Sequence, residues 1–282
     1  MLIFDTKEAI RVYLKSISTD ETTIGFVPTM GALHLGHLSL IKESLRNNTI
    51  TVVSIFVNPT QFNNPEDLEK YPRTLESDIK KIATLNDSVI VFAPSVPDIY
   101  EGQINSEHFD FGGLENQMEG KFRKGHFDGV GTIVKKLFEI VAPTYAYFGE
   151  KDFQQLQIIR KLVQKNNLLV KIIECPIFRE SNGLAMSSRN ERLSPIERAE
   201  AAIIFKTLTI VKSDFKQKSV AEINLFVTQV FEKHPLMTLE YFEIAEATTL
   251  LPCESKKNNI AYRAFIAVFI NNIRLIDTIS LN

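Results

Sequence analysis

Along the N-terminal part of the chain, short apolar runs rich in β-branched and aromatic residues recur: TIGFVPT (23–29), ITVVSIFVNP (50–59), SVIVFAPS (88–95), TYAYFG (144–149) and LLVKIIECPIF (168–178). Each is nearly continuous rather than alternating, which predicts strands buried on both faces. Between them apolar residues recur at helical spacing: Leu38, Ile41 and Leu45, then Val130, Ile133, Val134, Leu137, Phe138 and Val141, then Phe153, Leu156, Ile159 and Val163. Strand alternating with helix favours a mostly parallel sheet covered by helices on both faces. Ligands of such sheets bind beyond the carboxyl ends of the strands, near the point where strand order reverses. The stretch GFVPTMGALHLGHLSLI (25–41) leaves a strand at such an end and enters a helix.

The pattern changes near residue 190. Ser194-Pro195-Ile196-Glu197 combines an N-cap, a proline at the first helical position and a capping-box glutamate, so a helix is expected to start there and run through AEAAIIFKTLTIVK. A second box, Ser219 to Glu222, predicts the next helix. TLEYFEIA (238–245), AYRAFIAVFI (261–270) and IRLIDTI (273–279) then read as strands, the last two joined by Asn271-Asn272, residues that tolerate the positive φ of a tight hairpin. A smaller α+β domain is therefore expected at 178–282, after an α/β domain at 1–177.

Composition narrows the function classes. A chain of 282 residues with 44% hydrophobic content can bury a sizeable core. Lys and Arg total 32 against 34 Asp and Glu, and no basic run stands out, which argues against a nucleic-acid partner. No segment is apolar for long enough to span a membrane, and MLIFDTKEAI has no basic region followed by a long apolar stretch, so a cytoplasmic protein without a membrane partner is expected. Cys175 and Cys253 lie far apart without the paired spacing of a zinc site and read as free buried thiols.

The phosphate-binding fingerprints GxGxxG and GxxxxGK are missing. His34-Leu35-Gly36-His37, after Pro28-Thr29-Met30-Gly31, offers another device. A helix N-terminus presents unpaired N–H groups and a positive dipole end, to which two imidazoles add donors. Gly31 allows a sharp turn, and Gly36 lets a flat ligand lie against bare backbone. The alternative is two ordinary polar residues near a helix start. Other strand ends also gather polar groups: Asn58 and Gln61, then Lys151, Asp152, Gln154 and Gln155, then Met186-Ser187-Ser188-Arg189. Each alone fits a solvated loop; as a set they suit a site where amides recognise hydroxyl and carboxylate while Lys and Arg recognise phosphate.

PTMGALHLGH, SIFVNPTQF, YPRTLESD, GHFDGVGTIV, YFGEKDFQQL and ESNGLAMSSRN occur in that order, and together they resemble the pantoate–β-alanine ligases. The resemblance is dense over residues 20–195 and only general beyond; HxGH alone would indicate no more than the wider nucleotidyltransferase superfamily. It implies a Rossmann-like, doubly wound parallel sheet with a smaller C-terminal α+β domain closing over the site. It also implies ATP-dependent joining of pantoate and β-alanine through pantoyl adenylate, in a cytoplasmic homodimer with no tightly bound organic cofactor.

On that resemblance His34, His37, Lys151, Ser187, Ser188 and Arg189 stabilise charge on the phosphates in the adenylation step. Met30, Gly36, Gly149, Asp152 and Met186 complete the ATP site, and Pro28, Thr29, Met30, Asn58, Gln61 and Gln155 hold pantoate. Mg²⁺ accompanies ATP, with Asp78 the nearest candidate carboxylate. Two positions depart from the family pattern: Ser77 stands where a second acid is common, and Lys124 where proline usually precedes GHF. Arg123 and His126, on either side, are further candidates for substrate contact. FNNPEDLEKYPR (62–73) is either a lid that keeps water from the adenylate or an ordinary surface loop.

Two other functions share part of this signature. A nucleotidylyltransferase passing AMP to a phosphate-bearing acceptor would also use HxGH but would want more basic residues. A synthetase-derived RNA-binding module is disfavoured by the balanced charge.

Overall fold

The computed structural model describes residues 1–63 and 65–282. The chain divides into two compact units, one of Met1–Gly149 with Gln155–Cys175, the other of Glu150–Gln154 with Pro176–Asn282. The sequence pattern put a division at 177/178 and gave no sign that Glu150–Gln154 belongs with the second unit.

The first unit is built on six parallel strands: β1 (Leu2–Phe4), β2 (Ile24–Thr29), β3 (Ile50–Ile55), β4 (Ile90–Phe92), β5 (Tyr145–Gly149) and β6 (Lys171–Cys175). Their order is β1-β4-β3-β2-β5-β6, all neighbours parallel. From β2 the chain steps outward through β3 and β4, then returns to the other side of β2 for β5 and β6. The reversal lies between β2 and β5, the switch point of a doubly wound sheet. The edge strand β1 escaped the sequence pattern because it is three residues long.

Both faces of the central strands β2, β3 and β4 are dry. Val27, Val53 and Val91 pack on one side with Leu38 and Ile41 of helix Leu35–Asn47 and Ile82 of helix Leu75–Ala83. Their strand neighbours Phe26, Val52 and Phe92 alternate to the other side and are equally buried. There Phe26 meets Phe138 of helix His126–Val141 edge-on, ring centroids 6.2 Å apart. Burial on both faces explains why the strands read as continuous apolar runs.

The second unit carries an antiparallel sheet of β7 (Met237–Glu246), β8 (Tyr262–Ile270) and β9 (Ile273–Ser280) in that order. Asn271, at the β8–β9 hairpin, has φ 51°. After the short helix Pro195–Glu200, helices Ala202–Asp214 and Val220–Glu232 supply Ile204, Leu208, Val211, Ile223, Val227 and Phe231 to one core with Ile244, Ile266 and Leu275. Both capping boxes form, with Ser194 N–H donating to Glu197 Oε2 at 2.7 Å and Ser219 N–H to Glu222 Oε2 at 2.7 Å. Cys175 and Cys253 are buried, and neither forms a disulfide among the described residues. No helix among the described residues is long and apolar enough to cross a membrane.

Candidate active site

In the first unit the expected residues collect where β2 and β3 end. Gly31 and Ala32 follow β2 with φ of 81° and 49°, a consecutive left-handed pair that turns the chain into helix Leu35–Asn47. His34 is the N-cap. Its Nδ1 accepts from Gly36 N–H at 3.1 Å, while His34 N–H approaches His37 Nδ1 at 3.4 Å, so the histidines cap the helix reciprocally as Ser and Glu do in an ordinary box. Their rings stack with centroids 4.0 Å apart. An accepting Nδ1 must carry the lone pair, which places the proton of each neutral ring on Nε2. The sequence argument offered unpaired backbone N–H groups here. The structure instead gives the N–H of His34 and of Gly36 to the imidazoles.

The turn is held from below. Thr29 donates its hydroxyl to Ser54 O at 2.8 Å and accepts from Gly31 N–H at 3.2 Å, so the side chain expected to touch pantoate ties β2 to β3. Asp78, fully buried in helix Leu75–Ala83, accepts from Ala32 N–H at 2.9 Å, Leu33 N–H at 2.8 Å and the Thr74 hydroxyl at 3.1 Å. Both carboxylate oxygens face protein donors, so Asp78 does not fit as a direct Mg²⁺ ligand. Among the described residues no cluster of three or more His, Cys, Asp or Glu could hold a metal ion.

Beyond β3, Pro59–Gln61 forms a single 3₁₀ turn. Asn58, before it, has no exposed surface: Nδ2 donates to Gly129 O at 3.1 Å, and Oδ1 accepts from the Tyr100 hydroxyl at 2.5 Å and from Thr60 Oγ1 at 3.2 Å. Burial raises the Tyr100 phenol above its ordinary pKa, the bonds with Thr60 and Asn58 acting the other way, so it stays a neutral donor. Gly129 permits this contact, since a Cβ there would sit 2.1 Å from Thr60 O. The carbonyl of Gln61 accepts from His126 Nδ1 at 2.9 Å and Arg123 Nη2 at 3.3 Å. The two candidates for substrate contact thus grip the backbone of Gln61. Lys124 is exposed, and its carbonyl accepts from Asn63 Nδ2 at 2.5 Å.

Asn64, inside the 62–73 stretch read as a lid or loop, lies outside the described residues. Around it, Pro65–Glu69 is a short helix, and buried Tyr71 meets Phe62 edge-on at 5.5 Å.

The second unit holds Lys151, Asp152 and Met186–Arg189 of the expected residues. Lys151 Nζ lies 3.2 Å from Asp152 Oδ2. The buried guanidinium of Arg263 stacks 4.1 Å above the Phe153 ring and reaches Glu150 at 3.4 Å, seating this segment on β8. Met186–Arg189 leaves a narrow hairpin in which Met186 N–H donates to Phe178 O at 3.0 Å and Gly183 turns with φ 94°. Ser187 Oγ accepts from Arg189 N–H at 3.2 Å and caps the 3₁₀ segment Ser188–Arg192. Buried Asn190 donates to Ala185 O at 3.1 Å and to Glu180 Oε1 at 2.9 Å, and Glu180 accepts Arg198 through Nε at 2.8 Å and Nη2 at 2.9 Å. Glu180, Asn190 and Arg198 brace this loop, and none was singled out from the sequence.

The family model for pantoate-beta-alanine ligase matches residues 2–280. The chain belongs to that family. It is 65% identical over 281 residues to a pantothenate synthetase of Flavobacterium psychrophilum and 51% identical over 282 residues to one of Christiangramia forsetii, in both cases covering 100% of each chain. A crystal structure of pantothenate synthetase from Thermus thermophilus superposes with a TM-score of 0.90 at 36% identity, covering 100% of this chain and 99% of that one. The pantoate-beta-alanine ligase of Francisella tularensis, solved in complex with beta-gamma ATP and beta-alanine, gives 0.81 at 37% identity over 100% and 98% of the two chains. The α/β fold with a separate small antiparallel sheet is the fold of this family.

Proposed function

We propose that this protein condenses pantoate with β-alanine to pantothenate at the expense of ATP, by way of pantoyl adenylate. A carboxylate oxygen of pantoate attacks the α-phosphorus, and the bond from phosphorus to pyrophosphate breaks. The uncharged amine of β-alanine then attacks the acyl carbon; an amide forms, AMP leaves with the former carboxylate oxygen, and a proton is released. The reading is carried by the reciprocal His34–His37 cap at the end of β2, in a chain of the pantoate–β-alanine ligase family.

Each step asks something different of the residues. In adenylation, charge moves onto the departing pyrophosphate, so donors fixed beforehand contribute most. His34 and His37 supply Nε2–H groups, and Lys151, Ser187, Ser188 and Arg189 supply charge and hydroxyls. Met30, Gly36, Gly149, Asp152 and Met186 are assigned to the rest of the nucleotide. Gln61 and Gln155 are assigned to pantoate, with Pro28 and Met30 beside them and Thr29 and Asn58 shaping the backbone. Mg²⁺ enters with ATP as part of the substrate, held by phosphate oxygens and water. Closure of the second unit over bound nucleotide, water exclusion by residues 62–73, a homodimer and a cytoplasmic location complete the proposal; they rest on the family resemblance.

Pantoate-dependent exchange of labelled pyrophosphate into ATP, measured without β-alanine, tests the reading. Exchange that requires pantoate supports the acyl adenylate. No exchange with ATP binding intact refutes it and favours transfer of AMP to another acceptor.

A further inference from the structure

The segment YPRTLESD carries the carboxylate that the family resemblance offered to Mg²⁺, and the structure turns that carboxylate inward. Two consecutive backbone N–H groups, those of Ala32 and Leu33, converge on Asp78 from a turn whose residues 31 and 32 both have positive φ. Successive N–H groups in such a turn form a concavity that binds an anion. Asp78 is that anion, supplied by the protein itself. Its helix grips the same turn a second time, because Lys81 Nζ donates to Leu33 O at 2.7 Å. Thr74, the residue before the helix, donates to Asp78 Oδ2 and holds the carboxylate in register.

A left-handed conformation at a residue with a side chain, as at Ala32, is held against strain of order 1 kcal/mol or more and persists only where the surroundings fix it. The next residue after Leu33 is the N-cap His34. We propose that Asp78 is a positioning residue for adenylation: an internal anion that locks Gly31–Leu33 and thereby fixes where the His34 and His37 rings stand. The proposal rests on the functional reading above for its kinetic consequence, not for its geometry. Ser77, exposed on the same helix, fits this role without difficulty, since a clamp needs one acid where a metal site gains from two.

The full-length enzyme carrying Asp78→Asn or Thr74→Val tests it. Asn keeps one acceptor and turns an NH₂ toward the other backbone N–H. In pantoate-dependent exchange, Asp78→Asn is expected to lower kcat by about 10²-fold, the scale of a catalytic group displaced by about 1 Å. KM for pantoate and the half-saturating Mg²⁺ concentration should stay within about threefold, in keeping with a loss confined to the transition state. Thr74→Val, which removes one donor, should lower kcat by only about two- to tenfold with the same profile. Long-range ¹H–¹⁵N spectra of the histidine rings read the geometry without turnover. His34 and His37 should be Nε2–H tautomers in the wild type and lose that preference in Asp78→Asn. A large rise in the Mg²⁺ requirement, or unchanged kcat and tautomers in folded Asp78→Asn, overturns the proposal. If Asp78→Asn does not fold, unchanged kcat and tautomers in Thr74→Val overturn it. Absence of exchange in the wild type would refute the functional reading alone, and the tautomer comparison would still decide the role of Asp78.

Discussion

The hydroxyl of Tyr100 lies 2.5 Å from Oδ1 of Asn58, 42 residues earlier in the chain, and both side chains are buried. A phenol in this setting donates, so it fixes which end of the Asn58 amide is oxygen and turns Nδ2 toward Gly129. Tyr100→Phe removes that preference while keeping the ring. KM for pantoate should rise about two- to tenfold, the worth of one hydrogen bond, with KM for ATP unchanged. Equal rises for both substrates in initial-rate measurements would detach Tyr100 from the pantoate side.

His37→Ala removes both an Nε2–H donor and the Nδ1 that approaches His34 N–H. It should lower kcat for exchange by about 10²-fold or more. The lost cap should lower stability by only about 1 kcal/mol, visible as a small drop in the urea midpoint. Unchanged kcat would take His37 out of the chemistry.

At Gly149, where β5 ends, an added Cβ meets no atom of the described residues within 4 Å. Gly149→Ala should therefore leave Tm almost unchanged. If the space beside it belongs to the nucleotide, KM for ATP rises at least about fivefold, the effect of overpacking by about 1 kcal/mol. Calorimetry and ATP titration of the same preparation separate the two effects, and an unchanged KM would place the nucleotide elsewhere.

His108 Nδ1 lies 3.0 Å from Asp128 Oδ2, and this hydrogen bond holds the exposed imidazole above its ordinary pKa of 6.5. A raised folded-state pKa contributes stability that is fully present below the unfolded value and lost as pH rises through the folded value. The Tm advantage of wild type over His108→Gln should be larger at pH 5.5 than at pH 9. An advantage that grows with pH would contradict the charged pair.

The sheet was readable because burial on both faces leaves a continuous apolar run, and because each of β2 to β6 is followed by turn or helix signals. Ser194 and Ser219 were readable because a capping box is local: the groups that bond are three residues apart. Asp78 was not. As a residue type it suits metal or backbone equally, and the choice depends on N–H groups 45 and 46 residues away. His126 and Arg123 were noticed for the right neighbourhood, but their bond to the Gln61 carbonyl spans 65 and 62 residues. The helix read through residues 199–212 is broken at Ala201, a one-residue interruption that apolar spacing does not register. The sequence could nominate groups with suitable chemistry; which of them face a ligand and which face the protein is decided by tertiary partners.

The clamp on residues 31–33 also carries a consequence for biosynthesis of the chain. Synthesis runs from the N-terminus, so Gly31 to His37 leave the ribosome well before Asp78, and Asn58 well before Tyr100 and Gly129. Until those later segments arrive, the left-handed turn has no anion to hold it and the Asn58 amide has no fixed orientation. The histidine pair is thus early in sequence but late in assembly, and nascent chains ending before residue 78 should contain the HxGH segment without its native turn.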